Sequence, residues 1–317
     1  MRVFFASSSS ISLEVFKEVR DRYDVVGVLT SPDKPSGRGL NLKANEVKVE
    51  AIKKGIPVLD PLVLELSTIK AIKELKPDVM LVFSYGKIFK QEFLDIFPLG
   101  SINVHPSLLP KYRGPSPIQT AILNGDSSSG ITVQKMALEM DSGNILAQRQ
   151  FEIEGFNTSA DIFKYVSLNS ADIVLEALDK VEKGSVGIPQ DSSQATYCSF
   201  LSKHHGIIDF TLSAFEIKNK INACNPWPLV RARLEEDEII FHRADFIKDN
   251  NYCEQAVGEI VSFCPNKGLF VKTGDGVLLL LELQRAGRKV LDCKSFYNGN
   301  RGLVGKRFLK LEHKEMV

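Results

Sequence analysis

Through its first 153 residues the chain alternates short, continuously apolar runs with longer stretches whose apolar residues recur at helical spacing. Residues 3–5, 25–29, 58–59, 79–83 and 101–104 are runs of the first kind. Residues 11–22, 47–54 and 68–75 are of the second, with Ile11, Val15, Phe16 and Val19 on one face. A strand apolar on both faces needs cover on both, and a parallel sheet with helices on each side supplies it. The pattern predicts a Rossmann-like α/β domain. Runs at 131–136 and 145–153 extend the sheet, a short helix fits 117–124, and 159–183 reads as one long helix stopped by Gly184.

After about residue 188 the pattern changes. Pro, Gln, Asp and two Ser occupy 188–193, and a polar stretch continues to about 205, which reads as a linker. A helix at 213–224 follows, then short runs at 239–242, 257–262, 269–273 and 277–283 with Gly-containing turns between them. Short strands at regular spacing predict a small, OB-like β-barrel. The expected organisation is a catalytic domain over 1–189, a linker over 190–205 and a barrel domain over 206–317.

Composition excludes several classes. The formal net charge is +1, so attraction to a polyanion must come from local clusters and not from the whole chain. The cysteines Cys198, Cys224, Cys253, Cys264 and Cys293 include no C-x-x-C pair, which argues against a metal or disulfide framework and for a reducing cytosol. The apolar start at 3–5 runs into Ser7, Ser8, Ser9 and Ser10, too short for a signal segment or a membrane span. A cytoplasmic protein with no membrane association and no metal is expected.

Asn103 and His105 stand at i and i+2 at the end of a predicted strand, so their side chains point the same way. The carboxyl end of a parallel strand is where open α/β sheets place ligands. No G-x-S-x-G elbow, Walker sequence or H-E-x-x-H occurs, and the first strand leads into serines instead of G-x-G-x-x-G. What remains is a set suited to polarising a carbonyl: an amide, an imidazole and, further on, the carboxylate of Asp141.

From Asn103 the residues run Asn-Val-His-Pro-Ser-Leu-Leu-Pro to Pro110, followed by Tyr112-Arg-Gly114, Gly130-Ile-Thr132 and Met140-Asp-Ser-Gly143. This constellation resembles the signature of the folate-dependent formyltransferases. The loop containing Pro32-Asp-Lys-Pro35 and Gly37-Arg-Gly39, the C-terminal half and its Asn225-Pro-Trp-Pro228 are similar to the branch of that family that formylates methionyl-tRNA. Formyltransferases of nucleotide-linked amino sugars and formyltetrahydrofolate hydrolases remain as alternatives within the same family. A tRNA-binding protein without catalysis is a further one.

The resemblance implies 10-formyltetrahydrofolate as formyl donor and methionyl initiator tRNA as acceptor. It implies direct attack of the amine, with Asn103 and His105 stabilising the oxyanion and Asp141 favouring the protonated form of His105. It places the folate against Phe83, Ser84, Tyr85, Gly86, Ser107, Leu108, Leu109, Pro110 and Met140. Two departures from the family pattern stand out: serines at 7–10 where Gly-Thr-Pro is usual, and Asn144 where Asp is common.

Charge clustering points to the same polyanion. The loop 31–49 carries Lys34, Arg38, Lys43 and Lys48 against Asp33 and Glu46. From Arg285 to Lys310 there are eight basic residues, among them Arg288, Lys289, Arg301, Lys306 and Arg307, and one acid, Asp292. Phosphates supply much of the affinity of nucleic-acid contacts, so both clusters are expected to meet tRNA.

Overall fold

The computed structural model describes residues 1–36, 41–153, 158–248, 252 and 254–312. The chain divides into two units. The first comprises Met1–Pro117, Ser129–Phe151 and Phe163–Cys198, and the second Ile118–Ser128, Glu152–Ile162 and Ser199–Val317.

Elements run in the order β1 (Arg2–Ala6), α1 (Leu13–Arg22), β2 (Asp24–Leu29), β3 (Lys34–Ser36), β4 (Asn41–Lys43), α2 (Glu46–Lys53), β5 (Val58–Leu59) and α3 (Leu66–Glu74). They continue with β6 (Val79–Phe83), α4 (Gln91–Leu94), β7 (Ser101–His105), α5 (Pro117–Leu123), β8 (Ser128–Lys135), β9 (Ile145–Glu152), α6 (Ser159–Asn169) and α7 (Ala171–Glu182). The sheet order is β5-β2-β1-β6-β7-β8-β9. Neighbours from β5 to β7 pair in parallel, as the continuous apolar runs predicted, and β8 runs antiparallel to β7.

Successive residues of β1 serve opposite faces of this sheet. Phe4 packs with Met80, Val82, Phe93 and Phe97, whereas Phe5 meets Phe16 of α1 edge to face at 5.2 Å. Each buried side chain of this size contributes about 1.5–3 kcal/mol. The expected helix over 159–183 is interrupted: α6 ends at Asn169 and α7 starts at Ala171. Ser170 gives its hydroxyl to the Val166 carbonyl at 2.5 Å, the back-bonding that competes with the helical ladder.

The second unit contains α8 (Ala214–Ala223), β10 (Val230–Leu234), β11 (Asp237–Ile247), β12 (Ile260–Cys264), β13 (Gly268–Lys272), β14 (Val277–Arg285), β15 (Leu291–Asp292), α9 (Cys293–Asn298) and β16 (Phe308–Leu309). Its antiparallel sheet runs β12-β13-β14-β11-β10-β16. The amide of Phe308 donates to Gly258, that of Ile260 to Lys306 and that of Gly305 to Ile260, so the segment of β16 also bonds the edge beside β12. The sheet thereby curls on itself around Phe210, Phe241 and Phe308, giving the small barrel expected. α8 starts with a capping box, Ser213 and Glu216 each bonding the other's backbone amide. Among the described residues no helix is long and apolar enough to cross a membrane.

Candidate active site

β7 sets the site. Its register against β8 puts Asn103 opposite Gln134 and His105 opposite Thr132. The loop after β8 returns Asp141 to β7, where Asn103 Nδ2 lies 3.5 Å from Asp141 Oδ1 and His105 Nδ1 lies 3.6 Å from Oδ2. Asn103, His105 and Asp141 therefore meet in one place. The first contact is at the limit of a hydrogen bond, so the Asn103 amide is only weakly engaged.

Asp141 is held by two stronger bonds. Gly114 donates its backbone amide to Oδ2 at 2.8 Å, and Gln134 Nε2 donates to Oδ1 at 2.9 Å. Its own backbone is left-handed, with φ +51°, a conformation that L residues other than Gly, Asn and Asp rarely take. Two residues on, Gly143 is required by space: a Cβ there would sit 1.7 Å from the Lys135 carbonyl oxygen.

His105 is 4% exposed. Its Nε2 is 2.9 Å from the Tyr112 carbonyl oxygen, which can only accept, so Nε2 carries a hydrogen. Burial pushes the imidazole below its ordinary range, with Asp141 and the Tyr112 carbonyl pulling the other way. Asp141 pulls toward the cation, but desolvation is the larger effect, so the net direction is opposite to the protonated form that the family resemblance implies. With the Nε2 hydrogen given to Tyr112, Nδ1 is the ring nitrogen that faces Asp141.

Four partners went unread in the sequence: Gln134, the Gly114 amide, Arg113 and Gln190. Arg113 is 1% exposed, and its Nη2 and Nε donate to Gln190 Oε1 at 2.9 and 3.2 Å. Gln190 Nε2 donates at 2.8 Å to the carbonyls of both Asp141 and Gly143. Only Arg113 and Gly114 carried a signal, as part of the Tyr112-Arg-Gly114 element.

The expected folate residues separate. Phe83 is buried in β6, Ser84 is exposed at φ +58°, and Gly86 is exposed. Tyr85 stacks on Phe89 at 5.4 Å, and burial pushes its phenol up to about 12. Ser107 and Leu109 are tied to Thr132, and Leu108 packs over Gly130, so the 107–110 turn is clamped to the sheet. Met140 is exposed beside Asp141.

A cavity of about 530 Å³ is lined by Leu94, Phe97, Gly100, Ser101, Met136, Leu138 and neighbours, and the Ser101 hydroxyl is buried without a partner among the described residues. A second, of about 790 Å³, lies between Leu62, Val63, Leu66, Lys87, Ile88 and Phe93. Neither lining includes the residues named above from 83–86, 107–110 or position 140.

The basic residues also divide. Arg38 lies outside the described residues. Lys48 is bound by Asp33 at 2.5 Å and Asp60 at 2.7 Å, which makes it a clasp at the base of the loop and not a free cation. Lys43 pairs with Glu46, Arg285 with Asp237 and Lys306 with Glu235, while Arg307 Nε donates to the Val257 carbonyl. Lys34, Arg288, Lys289 and Arg301 are exposed and form no ion pair among the described residues.

The formyl transferase family matches residues 2–178, and the formyl transferase C-terminal domain matches residues 201–301. A methionyl-tRNA formyltransferase of Borrelia hermsii is 73% identical over 308 residues, covering 97% of this chain and all of the relative. One from Borreliella burgdorferi is 66% identical over 312 residues, covering 98% of this chain and all of that one. Among solved structures, a sugar 3N-formyltransferase (WlaRD) crystallised with dTDP and 5-N-formyl-THF superposes with a TM-score of 0.64 at 19% identity, over 91% of this chain and 99% of that one, which supports the shared fold. By sequence along nearly its whole length, the chain belongs to the methionyl-tRNA formyltransferase family of enzymes.

Proposed function

We propose that this enzyme transfers the formyl group of 10-formyltetrahydrofolate to the free α-amine of methionyl initiator tRNA, using Asn103, His105 and Asp141. The observation that carries the assignment is the meeting of all three side chains at the end of β7, with the Asp141 carboxylate fixed by Gly114 and Gln134.

In this reading the folate supplies the formyl carbon, and the chain's own residues supply positioning and proton transfer. Neutral His105 takes a proton from the attacking amine at Nδ1, directly or through water, as the new N–C bond forms and the C=O electron pair moves onto oxygen; collapse of that oxyanion then breaks the C–N bond to the folate. The imidazolium then gains the Asp141 carboxylate as counter-charge. Asn103 Nδ2 donates to the carbonyl oxygen as negative charge develops there, and the Nδ1–H of charged His105 adds a second donor. The proton held by His105 is returned to the leaving nitrogen.

The exposed cations Lys34, Arg288, Lys289 and Arg301 suit phosphate contacts, and Arg38 is proposed with them from its sequence neighbourhood alone. The test is to incubate the protein with 10-formyltetrahydrofolate and methionyl initiator tRNA and measure acid-stable formylmethionine, with methionyl elongator tRNA and a reaction without tRNA alongside. Formylation of the initiator alone is expected. Folate turnover without tRNA would instead indicate the hydrolase, and no turnover at all would turn the search to amino sugars.

A further inference from the structure

Residues 190–198 form a strap within the first unit. Thr196 accepts the Arg113 amide at its carbonyl at 2.8 Å and the Tyr112 amide at its hydroxyl at 2.9 Å. Cys198 returns its own amide to the Arg113 carbonyl at 2.8 Å. The strap delivers Gln190 to the loop that carries Asp141.

The chemistry of the neighbours fixes which way the Gln190 amide points. A guanidinium has donors only, so Oε1 must face Arg113. Nε2 then faces three oxygens: the carbonyls of Asp141 and Gly143, both at 2.8 Å, and Gln134 Oε1 at 3.2 Å. Gln134 in turn gives its own Nε2 to the Asp141 carboxylate. One side chain thus holds the backbone on both sides of Ser142 and orients a direct partner of the carboxylate.

The loop needs such a hold. Asp141 sits in a left-handed conformation, and residues 137–140 before it are exposed, with no packed core beneath them to restrain the turn. Arg113 has its other donors on Tyr197 and Glu139 at 3.3 and 3.4 Å, which keeps the guanidinium from turning away from Gln190.

We infer that Gln190, locked by Arg113, is a positioning residue for the formyl transfer, setting Asp141 against His105 and Asn103. This rests on the role given to Asp141 above.

Gln190→Glu discriminates. It keeps the size and gives Arg113 an ion pair, but it turns an oxygen without hydrogen toward the three oxygens that Nε2 now serves. With saturating 10-formyltetrahydrofolate and methionyl-tRNA, kcat is expected to fall by about 10–100-fold, the scale of a small misplacement of a reacting group, with both KM values within about threefold. The lost Nε2 bonds should lower the melting temperature modestly, so kcat is compared well below the melting point of either protein.

The double variant with Asp141→Asn completes the cycle: if Gln190 acts through Asp141, it should be little slower than Asp141→Asn alone. Parent-like kcat in Gln190→Glu, or losses that multiply in full, would overturn the inference while leaving Asp141 in place. Parent-like kcat in Asp141→Asn would remove the reading of Asp141 itself. Should Gln190→Glu fold poorly, Arg113→Met with Gln190→Leu removes the lock and the donors without stranding a buried charge, and the same kcat-against-KM split applies.

Discussion

His105 gives its Nε2 hydrogen to the Tyr112 carbonyl at 2.9 Å, and this leaves Nδ1 facing Asp141 Oδ2 at 3.6 Å. The ring is buried and its pKa is lowered from the ordinary 6.5, with desolvation the main cause. Between those two values the unfolded chain takes up a proton that the folded chain does not. Stability from this group is thus complete above about pH 6.5 and is lost as pH falls toward the folded-state value. Melting curves from pH 7.5 to pH 5 should decline less steeply for His105→Gln than for the parent. Parallel declines would exclude a buried neutral His105.

Removing the amide donor tests the oxyanion role. Asn103→Ala is expected to cost about 3–4 kcal/mol of transition-state stabilisation, or about 10²–10³-fold in kcat, with a smaller effect on KM. Single-turnover formylation measures it. A loss below about threefold, under 1 kcal/mol, would take Asn103 out of the reaction.

Lys48 should behave as structure, not as a phosphate contact. Lys48→Met leaves Asp33 and Asp60, both partly exposed, to solvent and is expected to cost about 1 kcal/mol in denaturant unfolding. The salt dependence of tRNA binding should keep its slope. Arg288→Ala and Lys289→Ala should each reduce that slope by about 1 while leaving stability unchanged. A shallower slope in Lys48→Met would show that the clasp opens to meet the ligand.

Gly143→Ala forces its methyl into the Lys135 carbonyl, so the loop must move or the strand must bend. Turnover is expected to fall at least 100-fold, a displacement-scale loss, even where the protein remains folded. Normal turnover with a normal melting temperature would show that the loop tolerates a shift and does not set Asp141.

Much of the first unit was legible because its strands are apolar on both faces, which few other architectures allow. Asn103 and His105 were legible from their spacing at a strand's end. Asp141 entered through the motif that contains it. Gln134 looked like any polar residue on a strand, because its partner depends on the antiparallel register of β8 on β7. Gln190 lies in a polar stretch that reads as a connector, and its bonds reach residues 49 and 77 positions away. No local pattern encodes such separations. Lys48 read as a free cation because its carboxylates at positions 33 and 60 flank it at 15 and 12 residues. The break at Ser170, whose hydroxyl bonds the Val166 carbonyl one turn back, leaves no mark in the helical periodicity.

The strand that closes the barrel carries a consequence for biosynthesis. Residues 305–309 bond both the 258–260 edge and β10, so they join two parts of the sheet that leave the ribosome earlier. Until they arrive, the second unit holds two open strand edges, the kind that recruit foreign strands. Nascent chains stalled before residue 305 should therefore be protease-sensitive in this unit while the first unit is already resistant.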